Sequence, residues 1–222
     1  MATLRNCIDW NSNAVALLRE GRKKEAADTI KKSLKSLEAL FHSTREASTM
    51  STTDNYQQSV VNSVLVEGPT SRNSPSNLFS FYPKMLNISS SASSISQVLV
   101  VLLYNLAVLS HIDVMIQKPP SPQRLMKSLE LYETAMKVAH TSWTAQDADS
   151  MVLVLLAVTN NVGHIHSHLL NFQQTRESLS LQMHLLSRAC EESPIPMDDY
   201  EVFFESVCTF LDGHDLTLAP AA

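Results

Sequence analysis

Residues 160–183 read NNVGHIHSHLLNFQQTRESLSLQM, and their spacing predicts two helices folded back on each other. Val162, Gly163, His166 and Leu169 share one face of the first helix, because residues three and four apart stand above one another. The pattern breaks at Asn171. A second helix then shows Thr175, Leu179, Gln182 and Met183 on its inner face. The unit is a helical hairpin with a small residue where the helices would cross.

The spacing recurs twice. Gly163 to Thr175 is twelve residues, and Leu179, Gln182 and Met183 follow at plus four, seven and eight. Ala14 to Ala26 is also twelve, with Ile30, Ser33 and Leu34 at the same offsets and Trp10 four before Ala14. Ala107 to Ser128 is twenty-one, which is twelve plus a nine-residue insertion holding the turn KPPSP, and Tyr132, Ala135 and Met136 then fall into register. Two helices approach closely only where small side chains meet. Ala14, Ala107 and Gly163 are therefore expected opposite Ala26, Ser128 and Thr175.

This pattern resembles the tetratricopeptide repeat (TPR), a helix-turn-helix of roughly 34 residues. Asn161, Val162, Gly163, Ile165, Asn171 and Phe172 stand where that family has polar, apolar, small, apolar, turn and aromatic residues. Thr175 and Gln182 replace its usual alanines, and no proline closes the repeats. The resemblance covers roughly half of the 222 residues. It implies an all-α fold: an α-α superhelix of about three TPR-like helical hairpins with a C-terminal capping helix and a small inserted β-hairpin. The layout is similar to that of uncharacterised TPR-like proteins of microalgae.

One domain over residues 1–222 is expected, since 44% hydrophobic content and 4 Gly fit a single helix-rich core. The first hairpin falls at 3–41, turning at Gly21, the second at 95–140 and the third at 144–189. Thr144 with Asp147 is a helix-start signature that opens a long helix through Leu170, and Ser121-Pro122 starts the helix before it. Between the first two hairpins, 42–94 is a loop-rich insertion in which 59–67 (SVVNSVLVE) and 78–88 (LFSFYPKMLNI) lean towards β structure. They are expected to pair as a hairpin that leans on the helices, an isolated one being marginal in water, with Pro83 at an edge. Residues 198–212 form the cap.

The formal charge of −5 excludes a general nucleic-acid binder, which needs a basic stripe against phosphates. Cys7, Cys190 and Cys208 lack the spacing of a disulfide framework or zinc knuckle. With no apolar leader in MATLRNCIDWN, a cytoplasmic or nuclear location is expected. The apolar run from Val98 to Leu109 is broken by Asn105, Ser110, His111 and Asp113, so a buried helix and no membrane are expected. No GxSxG, GxGxxG or GxxxxGKS run is present, so no catalytic residue and no cofactor are assigned.

His164 and His168, four apart on one helix face, are the metal candidates. They have no third ligand and no HExxH around them, so no metal is assigned, and His166 stands where the repeat has an aromatic. The repeat resemblance implies instead that the first helices line a concave groove. That lining would comprise Asn11, Arg19, Tyr104, Asn105, His111, Asn160, Asn161, His164 and His168, with Ser12 beside them. Asparagine amides can hold an extended peptide through its backbone donors and acceptors. The implied function is a non-catalytic adaptor or scaffold that binds a protein or peptide, with affinity sensitive to pH near 6.5 through the histidines. The alternative is a structural homo-oligomer joined through Phe203, Phe204 and Phe210. Residues 191–215 carry eight acids and no Lys or Arg, opposite in sign to the lysines at 23–35.

Overall fold

The computed structural model describes residues 3–45, 61–65, 79–89, 94–144, 147, 150–192 and 195–212. Among these the chain is mostly helical, with seven helices and one two-stranded sheet. The helices are α1 (Leu4–Arg19), α2 (Lys23–Arg45), α3 (Ile95–Met115), α4 (Pro122–Ser142), α5 (Val152–His168), α6 (Phe172–Glu192) and α7 (Met197–Asp212). The strands are β1 (Val61–Leu65) and β2 (Lys84–Ile88), which run antiparallel with Val61 opposite Ile88 and Leu65 opposite Lys84. Residues 59–60, 66–67 and 78 of the expected strands lie outside the described residues. Pro83 sits just before β2.

Helices pair in sequence as α1–α2, α3–α4 and α5–α6, while α2 packs on α3, α4 on α5 and α6 on α7. The six small residues Ala14, Ala26, Ala107, Ser128, Gly163 and Thr175 are all buried. Two of the hairpins turn in the same way. In the first, the Gly21 amide donates to Leu18 O at 2.9 Å and the Arg22 amide to Leu17 O at 2.9 Å. In the third, the Leu170 amide donates to Ser167 O at 3.2 Å and the Asn171 amide to His166 O at 2.9 Å. This is the Schellman closure, which needs a left-handed residue at its corner. Gly21 has φ 76°, and Leu170, seven residues after Gly163 as Gly21 is after Ala14, has φ 58°.

Three helix starts refine the reading. Ser94 and Gln97 form a complete capping box at the head of α3. Ser121 stands at the N-cap of α4 with Pro122 behind it, yet its side chain caps nothing and donates to Gln123 Oε1 instead. Thr144 and Asp147 make their reciprocal bonds, Asp147 N to Thr144 Oγ1 at 3.2 Å and Thr144 N to Asp147 Oδ2 at 2.9 Å. The expected long helix is nonetheless interrupted at Met151, whose φ −117° and ψ 17° restart it as α5.

Helix α3 has the length and composition of a membrane span, in spite of the polar residues Asn105, Ser110, His111 and Asp113 that interrupt its apolar run. Of its most apolar window 72% is buried inside the protein, because α1, α2, α4, α5 and β2 surround it. Its apolarity is thus used in the core.

Candidate functional site

The three first helices α1, α3 and α5 lie side by side, and residues 79–88, which lead into and include β2, cross them. Along this strand every second residue turns its backbone to the helices. Asn160 Nδ2 donates to Ser80 O at 2.7 Å. Asn161 takes both groups of Tyr82, accepting from its N–H at 3.0 Å and donating to its carbonyl at 3.1 Å. The Tyr104 hydroxyl donates to Lys84 O at 2.9 Å. Asn105 takes both groups of Leu86 at 2.8 Å each, and Asn11 Nδ2 joins the same carbonyl at 3.0 Å. An amide side chain can satisfy an N–H and a C=O together, so a column of asparagines does the work of a neighbouring strand. The other backbone edge of β2 faces β1.

Two of these asparagines hold equivalent places in the sequence spacing. Asn105 and Asn161 both stand two residues before their small residue, Ala107 or Gly163, and they bind strand residues four apart. The side chains that this strand brings are large: Phe79, Phe81, Tyr82, Met85, Leu86 and Ile88 are all buried. Phe79 explains Gly163, since a Cβ there would lie 2.5–2.7 Å from three atoms of the Phe79 ring. The small residue expected at a helix crossing also admits this ring.

Helix α7 closes the strand from the other side. Asp199, fully buried, accepts from Tyr82 Oη at 2.8 Å and from Ser63 Oγ at 2.6 Å, and forms an ion pair with Lys84 Nζ. Ser206 Oγ donates to Asn160 Oδ1 at 3.1 Å, and Gln182 Nε2 donates to Phe203 O at 2.7 Å. Asp199 was not legible from sequence as more than one of eight acids. The signal for it was its first-turn position on the last helix, where a buried acid also meets the helix dipole.

The groove residues named from sequence therefore divide. Asn11, Tyr104, Asn105, Asn160 and Asn161 converge on one segment, and that segment belongs to the chain itself. Ser12 also meets it, through Asn87 Oδ1 at 2.9 Å. Arg19 is exposed at the end of α1, away from the strand, and makes no ion pair among the described residues. His111 and His164 face each other, ring nitrogens 3.2 Å apart, with Phe81 against both rings. His168 sets its ring edge-on to His164. His166 is buried.

Burial, with the neighbouring His168 second, pushes His111 down to about 3. Burial likewise holds His164 well below the ordinary histidine range, followed by the His111 and His168 charges, and it lowers His168. The sensitivity expected near pH 6.5 is thus displaced to lower pH, because these rings refuse the proton there. Among the described residues no three His, Cys, Asp or Glu side chains gather as metal ligands. Phe203, one of the three aromatics assigned to self-association, is instead fully buried against Tyr82 with ring centroids 4.7 Å apart. Phe204 is exposed and stacks on Tyr200. Phe210 lies in the last turn of α7, its side chain outside what is described. Comparison with protein-family models, curated sequences and solved structures returns no match to this chain.

Proposed function

We propose that the chain is a non-catalytic protein–protein interaction module, an adaptor or scaffold of TPR-like hairpins whose concave face reads an extended peptide by its main chain. One observation carries the reading: Asn105 and Asn161, equivalent in the repeat, each hold both backbone groups of one strand residue, four residues apart. Such recognition is indifferent to side chains along that edge, which suits a peptide of any origin. In the folded chain the reader is filled in cis by residues 79–88. A partner segment enters only by replacing it, against an effective local concentration in the millimolar range or above.

The test is affinity capture from the source cell, followed by titration of each purified prey against the native chain and against Asn105→Ala/Asn161→Ala. Amide exchange at Tyr82 and Leu86 is followed in parallel. A prey that binds saturably, deprotects those amides and loses at least tenfold in affinity on the double substitution supports the reading. Saturable binding indifferent to both readouts places the interaction outside the groove, and no saturable prey at 100-fold excess removes the module reading.

A further inference from the structure

The register of the strand fixes where the hairpin ends lie. Residues 80–86 cross α5, α3 and α1 at equivalent heights, so the C-terminal ends of these three helices, with the turns that follow, emerge on one side of the molecule. This end face combines exposed apolar side chains with unpaired cations. Ile116 (54% exposed), Leu170 (66%) and Phe172 (63%) project from the second and third turns. Lys118, Arg124 and Lys127 flank them, exposed and without an ion pair among the described residues. A chain of net charge −5 thus keeps a cationic, apolar end.

Its complement lies elsewhere on the same molecule. On α7, Met197 (69% exposed), Glu201 and Phe204 (48%) form a stripe at helical spacing, with Asp198 and Glu205 exposed beside it, Glu205 accepting from Ser80 Oγ at 3.4 Å. Asp199, Phe203 and Ser206 point the other way, into the strand and Asn160. Asn160 is ten residues before Leu170 along α5, about 15 Å, so the two surfaces do not overlap.

From this complementarity of both charge and apolar surface we infer that the hairpin-end face is a docking site for α7 of a second copy of this chain. The contact is heterologous: each copy offers one face of each kind, and copies join head to tail. Each face presents only a few large side chains, which places the contact among the small, weak interfaces. Exposed charges steer it, so salt above about 0.1 M weakens it. Phe204 then acts as an anchor between copies, while Phe203 remains inside.

Sedimentation velocity from about 1 to 200 µM at low salt tests this. The native chain is expected to gain mass with concentration without stopping at a dimer, and to lose that gain at high salt. Lys127→Glu, with a reversed end face, and Phe204→Glu, with an impaired α7, are each expected to stay monomeric. Mixed one to one, they are expected to give a two-chain species and nothing larger, since only the α7 of the first and the end face of the second remain competent. A native chain monomeric throughout overturns the inference, as does a mixture of monomeric variants that fails to pair. Growth in either variant alone also overturns it. A monomeric native chain that sediments with phosphatidylserine vesicles overturns it too, and gives the end face to a lipid surface.

Discussion

At the scale of single residues, the third hairpin reverses the usual glycine chemistry at two places. Leu170 holds the left-handed corner that Gly21 holds in the first hairpin, and its side chain is largely exposed. An L residue there costs about 1–2 kcal/mol, so Leu170→Gly is expected to raise the thermal midpoint by roughly 2–8 °C. A scan with an unchanged or lower midpoint would show that Leu170 packs better than its exposure suggests. Gly163 sits inside α5, where alanine would ordinarily be favoured by about 1 kcal/mol. Here its Cβ would enter the Phe79 ring, so Gly163→Ala is expected to destabilise by roughly 1–3 kcal/mol in urea titration. Phe79→Leu should relieve much of that cost, and strict additivity of the two changes would contradict the contact.

At the scale of elements, the insertion and α7 act as one unit through Asp199. Removing only one member of a buried ion pair leaves the other uncompensated, at about 3–5 kcal/mol. Asp199→Ala is therefore expected to destabilise strongly and to deprotect the Tyr82 amide. Lys84→Met/Asp199→Leu is expected to recover at least half of the loss, and a double-mutant cycle without coupling would refute the pairing. This is also the scale at which the sequence was readable and then failed. The hairpins follow from contacts three, four and twelve residues apart, which leave a count along the chain. The strands at 59–67 and 78–88 were marked by their β-branched and aromatic residues, and their need for support by the helices was apparent. Their destination was not. The helical spacing puts Asn11, Asn105 and Asn161 on the first helices of the hairpins, but their partners lie 19 to 79 residues away, where no period survives. One clue was available: LFSFYPKMLNI carries more large apolar residues than a solvated hairpin can hide. The pH sensitivity expected of His111 and His164 presumes rings open to water, whereas both are buried with Phe81 against them.

For the whole molecule, the buried histidines make stability depend on acidity in one direction. Above pH 6.5 the rings are neutral in both the folded and unfolded chain. As pH falls below that, the unfolded chain gains protons that the folded one refuses, so stability declines, for His111 down to about 3. The slope is up to about 1.4 kcal/mol per pH unit for each ring. Urea midpoints should fall between pH 6 and 5, and His111→Gln/His164→Gln should flatten that fall; an equal slope in both proteins would exonerate the pair. The crossing strand also orders events during synthesis. Tyr82 and Asn161 are 79 residues apart, so at about 5–20 residues per second the strand leaves the ribosome some 4–16 s before the helix that completes its binding. Until then its aromatic residues have only the first two hairpins to lean on, and the nascent chain exposes a sticky extended segment of the kind that chaperones hold.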